Sequence, residues 1–311
     1  MPSFSDRLAA QIRSKRNPVL VGLDPRWEQI PEALKANKSQ ENPRDVSDVY
    51  ETFCKDVIDV VAPLVPAVKP QMAFFEQYGP YCMLALKNIV DYASSKGLLV
   101  ILDGKRNDIG STATAYAQGL LGANGVSVWG ADALTVSPYL GADSLEPFVD
   151  VANGRNAGLF ILVKTSNPGG AQFQDLVAND SALYLHVARY VAKLSATSAQ
   201  TVNSVCGYGS IGAVVGATWP EQLTQIREAA PQTWFLVPGY GSQGGGAADV
   251  AGAFDSQGLG AIINNSRGII FAYRRAPYQQ RFGQDHWQEA VEASTRDMID
   301  ALRAETSAGA L

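Results

Sequence analysis

The sequence predicts an α/β protein folded as a single (β/α)8 TIM barrel with loop insertions and a C-terminal helix. Three observations carry this. Eight short runs rich in Val, Ile and Leu recur along the 311 residues. Stretches with helical character separate most of them, and polar, Gly or Pro residues end each run. A doubly wound sheet would normally carry a Gly-rich phosphate turn after its first strand; Val21-Gly22-Leu23-Asp24-Pro25 contains no G-x-G-x-x-G.

The runs fall at 19–23, 67–69, 98–102, 133–136, 159–163, 211–215, 234–237 and 261–264. Helices are expected at 46–61, 81–96, 111–124, 181–195, 220–230 and 247–257, followed by a terminal helix at 287–303 and a frayed tail at 304–311. One domain over 1–311 accounts for the whole pattern. Two stretches exceed what a barrel needs: 26–44, polar with Pro31 and Pro43, and 167–210, which begins Gly-rich. Both read as insertions able to cover a mouth.

Composition narrows the function. A net charge of −5 argues against a general nucleic-acid-binding surface, while leaving room for a local basic site that holds a small anion. Cys54, Cys82 and Cys206 are scattered without a C-x-x-C pair, so neither a disulfide framework nor a zinc site is expected. His186 and His286 belong to no H-E-x-x-H or triad-like arrangement. No apolar run approaches a membrane span, and a cytoplasmic protein is expected. The chemistry then rests on Lys, Asp and backbone.

The densest chemistry is Asp103-Gly104-Lys105-Arg106-Asn107-Asp108-Ile109-Gly110, directly after the third run. Side chains alternate along a strand, so Asp103 and Lys105 share a side if the strand persists, and Asp108 lies where the chain turns. In a pocket the carboxylates would keep Lys105 protonated as a positioned proton donor; on a surface the same residues would be an ordinary charge cluster.

Barrel sites form at the C-terminal ends of the strands. The first run ends in Asp24, the second in Lys69, the fifth in Lys164-Thr165-Ser166, and the eighth in Asn265-Ser266-Arg267-Gly268. One ring would thus collect charges of both signs. After the seventh run, Pro238-Gly239-Tyr240-Gly241-Ser242-Gln243-Gly244 offers close backbone approach, and Arg267 a planar fork, for a phosphate held between the last two strands. Gln243 could bridge phosphate and base. The Ser166 hydroxyl suits the edge of a heterocycle but equally a helix cap, Thr112 a sugar hydroxyl or a helix start, and Asp24 with Lys69 a structural ion pair. The residues alone leave these open.

With these motifs the chain resembles the orotidine 5′-phosphate decarboxylase family, especially its longer bacterial type. The resemblance rests on the 103–110 segment, supported by Gly22-Leu23-Asp24-Pro25, Val68-Lys69-Pro70, Val237-Pro238-Gly239 with Gln243, and Ser266-Arg267, and spans roughly 18–270. It implies decarboxylation of orotidine 5′-monophosphate to uridine monophosphate, in pyrimidine synthesis, without metal or cofactor. Lys105 would protonate carbon 6 beside Asp103, within a network completed by Lys69 and Asp108. Asp24 and Thr112 would hold ribose, Ser166 the pyrimidine, and Pro238, Gln243 and Arg267 the phosphate end. The family also implies a homodimer in which Asp108 reaches the partner's site. The eighth loop has Ser266-Arg267 where compact members have Gly-Arg.

The chemistry agrees with that implication. Loss of carbon dioxide from this ring leaves a carbanion with no electron sink, so without a cofactor a preorganised ammonium must stabilise it. Magnesium-dependent sugar-phosphate barrels such as hexulose phosphate synthase also carry D-x-K-x-x-D, but they need a carboxylate where this chain has Lys69. A silent nucleotide-binding barrel would not need Lys105 between two aspartates.

Overall fold

The computed structural model describes residues 1–122, 127–241 and 243–311. Eight parallel strands close into a barrel: β1 (Val19–Leu23), β2 (Ala67–Pro70), β3 (Leu99–Arg106), β4 (Ala133–Val136), β5 (Gly158–Lys164), β8 (Ile211–Val215), β9 (Phe235–Val237) and β10 (Ala261–Asn265). They neighbour one another in that order, and β1 pairs with both β2 and β10. The insertion before β8 carries a two-stranded antiparallel hairpin, β6 (Val177–Ala178) and β7 (Ser181–Ala182).

The helices are α1 (Phe4–Lys15), α2 (Pro43–Val61), α3 (Ala73–Glu76), α4 (Pro80–Ser95), α5 (Gly110–Leu120), α6 (Ala142–Gly154), α7 (Ala171–Gln174), α8 (Leu183–Thr201), α9 (Pro220–Ala229), α10 (Arg267–Ile270), α11 (Tyr278–Arg281) and α12 (Trp287–Glu305). No described helix is long and apolar enough to cross a membrane.

Apart from the last residues of β3, the barrel strands are almost wholly buried on both faces, as parallel strands under a helical layer must be. Alternation splits the apolar residues into two clusters. Leu20, Ile101, Phe160, Leu236 and Ile262 fill the barrel interior, while Val21, Val100, Leu134 and Ile161 pack outward against the helices. The N-terminal end of the barrel is closed by α1, whose Phe4, Leu8 and Ile12 join the interior cluster. Phe4 meets Phe160 edge to face at 5.9 Å. Gly158 makes room for it, since a Cβ there would come within 2.2 Å of the Phe4 ring.

Every expected strand coincides with a barrel strand to within a few residues. Four expectations need correction. The expected helix 247–257 is a 3-10 segment, Ala248–Ala253. The tail expected to fray forms a 3-10 turn, Ser307–Ala310, because Ala308 is buried and the Ser307 hydroxyl donates to the Asp255 carbonyl at 2.6 Å. The expected helix 111–124 runs from 110 to 120, and its last two positions lie outside the described residues, as does Ser242. Both α1 and α6 were absent from the expected set.

Candidate active site

A cavity of about 660 Å³ opens at the C-terminal end of the strands. That is the size range of small-molecule sites. Among its lining residues are Asp24, Lys69, Asp103, Lys105 and Ser166, with Pro238, Gln243 and Arg267 contributed by the last two strand ends. Eight of the ten residues singled out in the sequence therefore meet at one place.

Asp103 is its electrostatic centre. It stands near the end of β3, buried, and its two oxygens accept four hydrogen bonds. The Lys69 ammonium donates to Oδ2 at 2.7 Å and the Gln71 amide to the same oxygen at 2.9 Å. The Lys105 ammonium donates to Oδ1 at 2.6 Å and the Thr135 hydroxyl at 2.8 Å. Burial works against the carboxylate charge, but Lys69 and Lys105 outweigh it and hold the group well below the usual carboxylate range. Lys69 behaves correspondingly: burial disfavours its charge, while Asp103 and Asp24 raise its pKa overall. For Asp24 the balance is opposite, because burial lifts its pKa and Lys69 only partly offsets this. Its Oδ1 is buried and has no partner among the described residues.

The two lysines differ in access. The Lys69 side chain is 3% exposed and that of Lys105 46%, so Lys69 sits beneath the array while Lys105 meets the open cavity. Lys105 has a left-handed backbone, φ 45°, a conformation that costs a non-glycine residue roughly 1–2 kcal/mol. A register shift between Leu102 and Arg106 accompanies this turn.

The opposite wall forms where β5, β9 and β10 end. A Cβ at Gly239, where φ is 100°, would come within 3.1 Å of Ser166 Cβ and 3.4 Å of Gln243 Oε1. Ser166 and Gln243 thus converge over bare backbone. Arg267 opens α10 on the same rim.

Two expected residues lie elsewhere. Asp108 and Thr112 do not line this cavity; Asp108 accepts the Ile109 N–H at 2.8 Å, and Thr112 is exposed in the first turn of α5. Lys164 also departs from the expected ring. A register shift between Leu162 and Lys164 turns its side chain outward, where it is fully buried, paired with Asp175 and set against Tyr184 and Trp219.

Sequence reasoning missed Gln71, Thr135, Asn264 and Arg26, all cavity-lining. Three had a legible signal. Gln71 lies two residues beyond Lys69, Asn264 two before Ser266, and Thr135 is the polar inward position of an otherwise apolar strand. Arg26, in the loop after β1, lies over the Phe74 ring at 5.1 Å.

A Lys–Asp–Lys array at a small-molecule-sized cavity, rimmed by glycines and an arginine at the strand ends, defines the class: an enzyme of (β/α)8-barrel architecture. Residues 17–278 match the model of the orotidine 5′-phosphate decarboxylase / HUMPS family. The chain belongs to that family. It is 50% identical over 305 residues to the orotidine 5′-phosphate decarboxylase of Rhodopirellula baltica, covering 97% of this chain and all of that one. It is 40% identical to that of Caldicellulosiruptor bescii, covering 88% and 91%. The Leishmania donovani OMP decarboxylase structure superposes with a TM-score of 0.72 at 32% identity, covering 97% and 98%.

Proposed function

We propose that the chain is an orotidine 5′-phosphate decarboxylase, converting orotidine 5′-monophosphate to uridine monophosphate and carbon dioxide, with Lys105 protonating carbon 6. The observation that carries this reading is Asp103 held between two ammonium groups at the cavity, Lys69 almost wholly buried and Lys105 half exposed. As the carbon–carboxylate bond breaks, its electron pair stays on carbon 6. The Lys105 ammonium stabilises that charge and then delivers a proton to it. Lys69 keeps Asp103 ionised from below, so the array needs little reorganisation when charge develops. Asp103 beside the departing carboxylate would also repel it in the bound substrate.

The family name spans two chemistries, and Lys69 favours the decarboxylase. A divalent cation seated on Asp103 would face two ammonium groups at hydrogen-bond distance from that carboxylate. In the same reading Ser166 meets the pyrimidine edge, Asp24 the ribose, and Pro238, Gln243 and Arg267 the phosphate end. Phosphate contacts far from the reacting carbon then supply binding energy for closing the site, so they act on turnover as well as affinity.

A homodimer completes the site. Asp108 and Thr112 follow β3 on one segment outside this chain's cavity, beside the exposed Ile109, and the segment after the neighbouring strand β4 exposes Tyr139 and Leu140. Apolar side chains flanking site residues directed away from their own cavity fit a subunit contact that delivers them to the partner.

The test is incubation of chelator-treated protein with orotidine 5′-monophosphate, following loss of its ultraviolet absorbance and formation of uridine monophosphate. Rapid metal-independent conversion is expected. Conversion of sugar phosphates only after magnesium is restored would overturn the reading.

A further inference from the structure

The short helix α7, in the insertion after β5, bears on the cavity without lining it. Its last residue, Gln174, and the residue after it, Asp175, hold Lys164, the last residue of β5, and Thr165 just beyond. The Gln174 amide grips Thr165 twice: its Oε1 accepts the Thr165 backbone N–H at 3.0 Å, and its Nε2 donates to the Thr165 hydroxyl at 2.9 Å. Asp175 pairs with Lys164, whose ammonium lies 4.7 Å from the Trp219 ring centre and 5.3 Å from that of Tyr184. A Cβ at Gly170 would strike both Thr165 Oγ1, at 2.7 Å, and Gln174 Oε1, at 2.9 Å, so the insertion is packed against its target.

The next peptides are held from the other side. The Trp219 indole N–H donates to the Thr165 carbonyl at 3.0 Å, and the Thr218 hydroxyl donates to the Ser166 carbonyl, also at 3.0 Å. These two carbonyls belong to the peptide planes on either side of the Ser166 Cα. With both planes tied, the backbone of Ser166 is fixed and its hydroxyl direction depends on a single torsion. β5 ends at Lys164, and the Thr165 N–H finds its partner in Gln174 instead of a neighbouring strand.

We propose that Gln174 is a positioning residue: from the insertion, it sets the β5 terminus so that Ser166 presents its hydroxyl correctly to the pyrimidine edge. The inference rests on the decarboxylase reading and deepens it, because it makes the insertion part of base recognition. Gln174 touches no substrate. It acts through Ser166, and its effect disappears when Ser166 has no hydroxyl to orient.

The decisive experiment is a double-mutant cycle on kcat/KM for orotidine 5′-monophosphate, using wild type, Gln174→Ala, Ser166→Ala and the double variant, with a thermal melt of each. Gln174→Ala is expected to lower kcat/KM by about 5- to 20-fold in the wild-type background, the scale of one or two hydrogen bonds, and by less than about 2-fold in the Ser166→Ala background. Gln174→Glu, whose oxygens keep an acceptor for the Thr165 N–H and accept from its hydroxyl, recovers most of the loss. It also serves as the second variant should Gln174→Ala fold poorly. Equal losses in both backgrounds, or a Glu variant no better than Ala, would overturn the proposal. A Ser166→Ala variant with unchanged kcat/KM would overturn it through the base contact. Absence of conversion by wild type would instead overturn the decarboxylase reading, before any variant is compared.

Discussion

Thr135 holds Lys105 by its backbone: the threonine Oγ1 accepts the Lys105 N–H at 3.0 Å. The same hydroxyl gives its own proton to Asp103 at 2.8 Å, so one group on β4 fixes both the strained turn and the carboxylate beside it. Thr135→Val preserves the shape and removes both bonds. Leaving a buried donor and a charged acceptor each one partner short costs about 1–3 kcal/mol. The expected outcome is a fall in kcat of about tenfold or more and a lower melting temperature, with Thr135→Ser close to wild type. Steady-state kinetics on the three proteins checks this; a Val variant with wild-type kcat would remove Thr135 from the positioning of Lys105.

Asp103→Asn should be among the most destabilising changes at the site. The amide cannot serve as an anionic acceptor for two ammonium groups, one of them almost wholly buried, and breaking a buried ion pair typically costs about 3–5 kcal/mol. The pH dependence has a definite sign. Because the folded-state pKa of Asp103 is depressed, its stabilisation is present above the unfolded value near ~4 and is lost as the pH falls through the folded one. Denaturant titrations of both proteins should therefore differ most near neutrality and converge in acid. A gap that is constant with pH would separate the effect from ionisation.

Asp24 is predicted to trade stability for function. Its raised pKa means that the ionised carboxylate weakens the unliganded fold at neutral pH. Asp24→Asn should then raise the substrate-free melting temperature. It should lower kcat/KM by roughly 10- to 100-fold through the ribose contact proposed for it. A raised folded pKa favours folding below the unfolded value and loses that contribution as pH rises, so the advantage of Asn should shrink as the pH falls toward ~4. Scanning calorimetry at several pH values checks the sign. A destabilised Asn variant at neutral pH would mean that pairing with Lys69 outweighs burial at Asp24.

Much of this architecture was legible because strand positions in a barrel are set by local chemistry. Apolar runs of four to eight residues ended by polar residues marked β1, β4 and β8 at the very bounds they have in the structure. The same alternation that brought Asp103 and Lys105 together could have found Thr135 and Gln71, which needed only an inward position counted two residues along. Helix α1 had a readable start: Ser3 caps it, accepting the Asp6 N–H at 3.1 Å, and Ser3-Phe4-Ser5-Asp6 is the capping-box spacing. Lys164 could not have been read correctly. A one-residue register shift reverses which face a side chain takes, and nothing in Leu159 to Lys164 announces the shift. For Asp108 the resemblance already implied a partner's site; the structure adds that neither Asp108 nor Thr112 lines its own chain's cavity, and which subunit's cavity their segment serves is a separate question.

That last question has a direct test in mixed subunits. Lys105→Ala alone should abolish turnover while leaving binding of uridine monophosphate within about tenfold, because the lysine is asked to act on charge that develops only in the transition state. Asp108→Ala should be impaired by a different route. If Asp108 serves the partner's cavity, a dimer of one Lys105→Ala chain and one Asp108→Ala chain has both lesions in one site and neither in the other. Random pairing of equal amounts then leaves about one quarter of all sites intact, so mixing two poorly active proteins should restore about one quarter of wild-type activity per chain. If Asp108 serves its own chain's cavity, every site in every dimer carries one lesion and mixing restores nothing. Native mass spectrometry of the mixture establishes that the subunits have exchanged, and the activity measured alongside decides between the two geometries.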